Sequence, residues 1–256
     1  MDISGPVREL LQQILGMPQG NPHDPLLLFA QMAAYPSFVP LHVPEILVPE
    51  TPLISDPFIF AALLRVLPRT GRGIRPAVAK SLSVSAAKLS EQAQRLLISR
   101  KTTSAEVLWH YWLIVLARQR LKLGVTDLLL KALWQRAFSG QNQGRLHHAA
   151  GLDAPASALA DLRALHAACN AIIFTQDFDL FPQVQQLADT LAAIAPDEFP
   201  AEPWALAAFA SLDRSATVAP RQIQAMRAYA STAAPSPLAL SLLADAVLAQ
   251  EDIANV

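Results

Sequence analysis

Four arginines and no acidic residue lie within residues 65–75, RVLPRTGRGIR. The forked guanidinium group of arginine matches the oxygens of phosphate and carboxylate groups, so such a run can bind an anion. Gly73 lets the backbone approach the anion closely. The sequence therefore predicts a binding site for an anion or a charged partner. We assign to this site Arg65, Arg69, Arg72, Arg75, Arg100 and Lys101.

Part of this run, GRGIRP at 71–76, resembles the Gly-Gly-Lys-Arg-x-Arg-Pro segment of polyprenyl diphosphate synthases. The resemblance implies an all-helical fold and diphosphate binding at this segment. Those enzymes also hold magnesium with Asp-rich motifs, and the nearest counterpart in this sequence is DFD at 177–179, with only two acids. We therefore do not assign the chain to that family.

The chain has a formal net charge of −1, but its charge is strongly divided along the sequence. Residues 1–64 carry one basic and six acidic side chains, residues 65–145 fifteen and three, and residues 146–256 four and twelve. Three explanations stay open: neutralisation within the chain, an acidic protein partner or self-association, and binding of a phosphate group or polyanion. Nucleic acid is not expected, because no basic stretch is interleaved with aromatic residues for base stacking.

The densest aromatic cluster is LWHYW at 108–112. Trp109 and Trp112 are predicted to lie in the core or to anchor a protein partner, since large aromatic side chains are favoured in both environments. His110 has two interpretations, a hydrogen-bonded histidine of the core or a groove, and a haem ligand. One histidine is not a sufficient signature for haem, so we predict no cofactor.

Four other side chains are of types that bind zinc: His147, His148, His166 and Cys169. Their spacing matches no zinc-ligand pattern, so we predict no metal site. Cys169 is the only cysteine, which excludes an intramolecular disulfide and fits a reducing compartment. The sequence contains no nucleophile elbow and no phosphate loop of the Walker or Rossmann type, and we predict no catalytic residue.

Composition and patterning favour helices. Hydrophobic residues make up 52% of the 256 residues, and most of them are the helix formers Ala and Leu. Alternating apolar runs typical of strands are absent. Helix starts are indicated by the Asp-Pro pair at 24–25 and by a capping box at 103–106. We predict an all-α fold of stacked helical hairpins, arranged as a short α-solenoid or an irregular helical bundle.

Several helix boundaries follow from helix-breaking residues and caps. We predict separate helices near 76–82 and 85–98, and a helix end at Gly124. Prolines recur every 17 residues in the C-terminal part, and each predicts the start of a helix of about three turns. These prolines are Pro203, Pro220 and Pro237.

Two irregular stretches organise the chain. The segment 36–57 is rich in proline but too apolar for a free linker, so we predict an extended strap laid over helices. The stretch 140–156 is predicted to be a linker, because much of it is rich in Gly, Asn and Gln. It divides an N-terminal lobe with a basic middle, 1–139, from an acidic lobe of helical hairpins, 157–256.

These patterns predict a non-catalytic adaptor or scaffold that binds an acidic protein or a second copy of the chain. The alternative is a helical protein, including an enzyme of unrecognised type, that binds a phosphate-bearing ligand through the arginines of 65–75. The apolar run at 107–117 is too short to span a membrane, and the N-terminus lacks the apolar core of a secretory signal. We expect a cytoplasmic protein without a membrane span.

Overall fold

The computed structural model describes residues 3–16, 24–35, 57–66, 76–99, 101–139, 146, 154–193, 202–210, 212 and 215–254. Within these residues the chain is all-α, as predicted, and contains no strand. The helices are α1 (Ser4–Leu15), α2 (Pro25–Ala34), α3 (Pro57–Val66), α4 (Pro76–Ile98), α5 (Ser104–Leu121), α6 (Asp127–Phe138), α7 (Ala154–Thr175), α8 (Phe181–Ala192), α9 (Trp204–Phe209), α10 (Ser215–Thr232) and α11 (Pro237–Ala254). A 3-10 turn, Phe178–Leu180, joins α7 to α8.

The predicted helix caps at 24–25 and 103–106 are confirmed. The Asp24 carboxylate accepts a hydrogen bond from the Leu26 N–H at 2.8 Å. At the start of α5 the Thr103 hydroxyl accepts from the Glu106 N–H at 3.2 Å, and the Glu106 carboxylate accepts from the Thr103 N–H at 2.8 Å. Each cap satisfies backbone donors that the first helical turn leaves unpaired.

Helix α4 is continuous over 23 residues, so the predicted interruption after residue 82 is wrong. An unbroken apolar stripe at helical spacing is buried along it: Leu82, Ala86, Leu89 and Ala93. Burial of this stripe outweighs the weak helix preference of the Ser-Val-Ser residues at 83–85.

Helix α5 ends before the predicted position at Gly124. Lys122 adopts the left-handed conformation, with φ 54° and ψ 37°, and its N–H donates to the Ala117 carbonyl. This cap stops the helix at Leu121 and leaves Gly124 outside it. The prediction failed because left-handed caps favour glycine but do not require it.

The C-terminal helices follow the proline spacing only in part. Pro237 begins α11 and Pro203 directly precedes α9, as predicted, but α9 contains only six residues. Pro220 lies inside α10, so the prediction that it begins a helix is wrong. Val218 and Ala219 are buried, and their burial extends the helix ahead of the proline.

The helices form an irregular bundle around α5, which is the central helix. It packs against α3, α4, α6 and α7, and its residues 111–117 are all buried. Helix α11 packs against α1 and α2, so the two ends of the chain meet. In a solenoid each repeat contacts only its neighbours. The meeting of the chain ends therefore favours the bundle over the solenoid.

Contacts cross between the two predicted lobes, since α5 packs on α7 and α2 packs on α11. The division into lobes stays a prediction, and most of the predicted linker, 140–156, lies outside the described residues. So does the predicted strap, apart from Pro57 at the start of α3. Among the described helices, none combines the length and apolar character needed to cross a membrane.

Candidate functional site

Three of the predicted site residues converge around one small buried cavity. Arg65 of α3 and Trp109 and Trp112 of α5 line it, together with Asp245 of α11. The cavity holds about 10 Å³, which is close to the space that one water needs. Trp112 is only 2% exposed. These residues therefore meet in the interior of the bundle.

The other predicted site residues do not join this cluster. Lys101 is exposed ahead of α5 and does not line the cavity. The remaining members of the predicted anion site lie outside the described residues: Arg69, Arg72, Arg75 and Arg100. The anion site over these six residues stays a prediction.

Arg65 forms a buried ion pair with Asp245. Their side chains are 13% and 11% exposed. The Arg65 guanidinium carbon also lies 4.6 Å from the ring centre of Phe29 and 6.0 Å from that of Trp112. A buried charge needs this kind of partner, because leaving it unpaired costs several kcal/mol. For this one arginine the positive charge is neutralised inside the chain.

His166 of α7 completes the buried cluster. Its Nε2 lies 3.1 Å from the Asp245 carboxylate, and the Asn170 side-chain amide nitrogen lies 3.0 Å from its Nδ1. Burial, and next the nearby Arg65 charge, lower the pKa of His166 to about 3, although a hydrogen bond to the Ala207 carbonyl opposes this. The ring is therefore neutral at pH 7, and its Nε2–H can donate to Asp245. The His166 side chain is 1% exposed, so it lies with Arg65 and Asp245 in the interior of the bundle.

Trp109 links this buried cluster to a larger groove. Its ring centre lies 4.9 Å from that of Phe58, 5.9 Å from that of His166 and 6.0 Å from that of Trp204. Unlike Trp112, Trp109 is only partly buried and lines both the small cavity and the groove. It is the one predicted aromatic anchor that the structure places at a solvent-accessible site.

The groove lies between α3, α4, α5 and α7 and has a volume of about 830 Å³. Most of its wall is apolar: Phe58, Leu89, Leu96, Ala105, Trp109, Leu113, Leu159 and Ala160. A few polar side chains interrupt this wall or rim it: Gln92, Arg95, Thr103, Glu106, His110 and Arg163. Apolar walls with few polar groups are typical of binding sites.

His110 is a half-buried polar group of the groove that contacts Glu106 and Gln92. Its Nδ1 lies 2.8 Å from the Glu106 carbonyl, to which it donates, and its Nε2 lies 3.4 Å from the Gln92 side-chain oxygen. Burial lowers the pKa of His110, and the hydrogen bond to the Glu106 carbonyl and the Glu106 charge oppose this. In this tautomer Nε2 carries no proton, so it accepts a hydrogen bond from Gln92 only when the side-chain amide is turned to present its NH₂ group.

The charged groups of the groove are arranged on its rim. The Arg163 guanidinium pairs with Glu202 at 3.1 Å and lies 5.1 Å from the ring centre of Trp204. The Glu106 carboxylate is held by the capping box. Arg95 is exposed on α4 and lines the groove. Since Glu202 neutralises Arg163, the charges left on the rim are Arg95 and Glu106, and Arg95 is the cation without an ion-pair partner among the described residues.

The described residues contain no cluster of three or more His, Cys, Asp or Glu side chains that would hold a metal ion. Cys169 is buried in α7. His147 and His148 lie outside the described residues.

Comparison with known protein families, with curated proteins and with solved structures shows no significant match to this chain. Its function is therefore inferred from its own geometry. The sequence pattern missed most of the groove, including Phe58, Leu96 and Leu159. These leucines and phenylalanines resemble core residues of any amphipathic helix, and only the packing of α3, α4, α5 and α7 reveals a shared surface.

Proposed function

We propose that the protein is a non-catalytic adaptor whose groove accepts the apolar side chains of an acidic amphipathic helix from a partner protein. The observation that supports this most directly is the apolar groove of about 830 Å³ with the exposed Arg95 in its lining. Helices dock into such grooves through apolar residues at i, i+3, i+4 and i+7. Trp109 in the wall would be the aromatic anchor, because half-buried tryptophans often dominate interface energies.

The charge of the surroundings favours an acidic partner. Arg95 lines the groove, and Lys88 is exposed on the same helix, two turns earlier. The segment 65–145 carries fifteen basic against three acidic residues. Complementary charge of this kind mainly orients the partner and speeds association. Binding should therefore weaken as salt is added.

A second candidate function is capture of a small amphipathic carboxylate. The groove volume falls within the range of roughly 300–1,000 Å³ found for small-molecule sites. Gln92 and His110 offer polar groups within the apolar wall, and Arg95 offers a counter-charge. This ligand would use the same residues as the helix, so one set of variants tests both.

The test uses three probes. Two are helical peptides with one apolar face in common, one with a Glu-rich and one with a Lys-rich polar face, and the third is dodecanoate. We expect the Glu-rich peptide to bind at least tenfold more tightly than the Lys-rich peptide, as measured by fluorescence anisotropy at two salt concentrations. Equal binding of both peptides would show that charge complementarity does not select the partner. Binding of dodecanoate alone would replace the first candidate by the second.

Variants locate the binding surface. Leu96→Glu places a charge in the apolar wall and is expected to weaken peptide binding more than tenfold. Ile98→Glu is the matched control, because Ile98 lies on the same helix, is 83% exposed and does not line the groove. An equal loss in both variants would place the binding surface elsewhere. If only Leu96→Glu weakens binding, a photo-crosslinker at position 96, compared with one at position 98, would identify a partner in cells.

A cytoplasmic location and an oligomeric state remain predictions.

A further inference from the structure

A second cavity opens on a different face of α5. It has a volume of about 570 Å³ and lies between α5, α6, the end of α7 and the start of α8. Its apolar wall consists of Tyr111, Leu130, Trp134, Leu180 and Pro182. None of its lining residues lines the groove.

Acidic side chains dominate the mouth of this cavity. Asp127 pairs with Arg118 at 2.5 Å, so these two charges largely cancel. The other charged residues of the lining are two acids, Asp177 and Asp179, and one base, Lys131. Both aspartates are exposed, and they follow the left-handed residue Gln176, which turns the chain at the end of α7. The mouth carries an excess of negative charge.

The Tyr111 hydroxyl is a polar group that a ligand in this cavity could contact. Tyr111 lines the cavity and is only 4% exposed. No residue in the described part of the chain forms a hydrogen bond with its hydroxyl. The hydroxyl oxygen is not fully enclosed, so it opens on the cavity and can accept a hydrogen bond from a bound group. Burial, and next the Asp177 charge, raise the pKa of Tyr111 to about 12, so the hydroxyl is protonated at pH 7.

The aromatic wall is held in place before any ligand binds. The rings of Tyr111 and Trp134 meet edge to face, with their centres 5.3 Å apart. The Trp134 indole N–H donates to the Gln183 side-chain oxygen. The Trp134 ring also packs against Phe138, with the centres 4.9 Å apart. A rigid aromatic wall lowers the entropy that binding costs, and aromatic rings attract cations.

We propose that this cavity binds a small organic cation, an alkylammonium group on an apolar body. The ammonium group would lie between the carboxylates of Asp177 and Asp179 and the Tyr111 hydroxyl, which accepts one of its hydrogen bonds. The apolar body would pack against Leu130 and Trp134. This inference is independent of the proposed adaptor function, because the two sites share no lining residue.

The test compares three probes of equal length: n-hexylammonium, n-hexanol and n-hexanoate. Saturation-transfer NMR and the shift in melting temperature measure their binding to the full chain. We expect n-hexylammonium to bind at least tenfold more tightly than n-hexanol, and n-hexanoate to bind least. A fourth probe, N-acetyl-lysine amide, stands for a protein side chain. Tighter binding of this probe than of n-hexylammonium would keep the cation site and identify a lysine of a partner as its source.

Four variants test the residues. The Asp177→Asn, Asp179→Asn double variant is expected to lose more than tenfold in n-hexylammonium affinity, and Tyr111→Phe a few-fold. Lys131→Met is expected to strengthen binding, because it removes a competing positive charge. Glu9→Gln, Glu91→Gln is the matched control, because it also removes two negative charges and both side chains are exposed and lie outside the cavity.

Two results would overturn the cation site. One is equal binding of n-hexanol and n-hexylammonium, which would show an apolar cavity without charge selection. The other is unchanged affinity in the Asp177→Asn, Asp179→Asn variant while its thermal unfolding matches the wild type. Both aspartates are exposed, so this variant is expected to fold normally.

Discussion

The buried ion pair of Arg65 and Asp245 makes the sharpest prediction about stability. Both side chains are nearly 90% buried, so solvent screens their interaction little. Arg65→Met would leave the Asp245 carboxylate with His166 as its polar contact. Breaking a buried pair by removing one partner typically costs about 3–5 kcal/mol. We expect the free energy of unfolding to fall by that amount.

The double variant isolates the interaction itself. The double variant Arg65→Met, Asp245→Asn removes both charges, so neither is left unpaired in the interior. The side-chain amide at position 245 can still contact His166. We expect the double variant to be more stable than the sum of the single changes predicts, with a coupling of at least about 2 kcal/mol. Urea unfolding followed by circular dichroism at pH 7 measures the four proteins of the cycle, with unchanged m-values as the condition for comparison.

The exposed pair of Arg118 and Asp127 is the internal control. Exposed ion pairs contribute between zero and about 1 kcal/mol, so the same cycle at Arg118→Met, Asp127→Asn should give a coupling in that range. A coupling at Arg65 and Asp245 no larger than at this exposed pair would refute the reasoning. It would mean that the Arg65 side chain meets water and leaves the interior.

Three further predictions concern single positions. The pKa of His166 falls from its ordinary 6.5 to about 3 on folding, so the stability that the neutral ring contributes is present above pH 6.5 and is lost as the pH falls, by about 2 kcal/mol at pH 5. The free energy of unfolding of His166→Gln, measured in urea, should lack that part of the dependence on acid pH. A pH dependence equal to that of the wild type would contradict the prediction. Thr103→Ala removes the hydroxyl of the capping box and should lower the free energy of unfolding by about 1 kcal/mol, whereas Thr103→Ser should not. Lys122→Gly relieves the left-handed conformation at φ 54° and should raise the free energy of unfolding by about 0.5–1 kcal/mol, which a higher melting temperature would show. Lys122→Ala is the control, because alanine has the same difficulty with a positive φ and should not gain stability.

Local features of the fold could be read from the sequence because their physics is local. The hydrogen bonds that cap α2 and α5 join residues no more than three positions apart. The failures arose where tertiary burial overrode a local preference. Pro220 normally starts a helix, yet burial of Val218 and Ala219 extends α10 ahead of it. The continuous apolar stripe of α4 had the same effect on its predicted break.

The candidate sites could not be read in this way, because each is assembled from distant segments. Arg65 was predicted to bind an external anion, and its partner in the structure, Asp245, is 180 positions further along the chain. Phe58 and Leu159 meet in one groove although a hundred residues separate them. Trp109 could be selected from sequence as core or anchor, but only its packing shows that it serves both sides.

The positive charge of the middle segment is used in two different ways, and this connects the fold to the proposed function. Arg65 is neutralised by an acid of the C-terminal part, which is the internal explanation of the divided charge. The basic side chains of α4 are different: Lys80, Lys88 and Arg95 are all exposed. They lie on a helix whose buried stripe contributes Leu89 to the groove wall. Internal pairing therefore accounts for the arginine in the core. Of the cations on α4, Arg95 lines the groove, where an acidic partner would meet it.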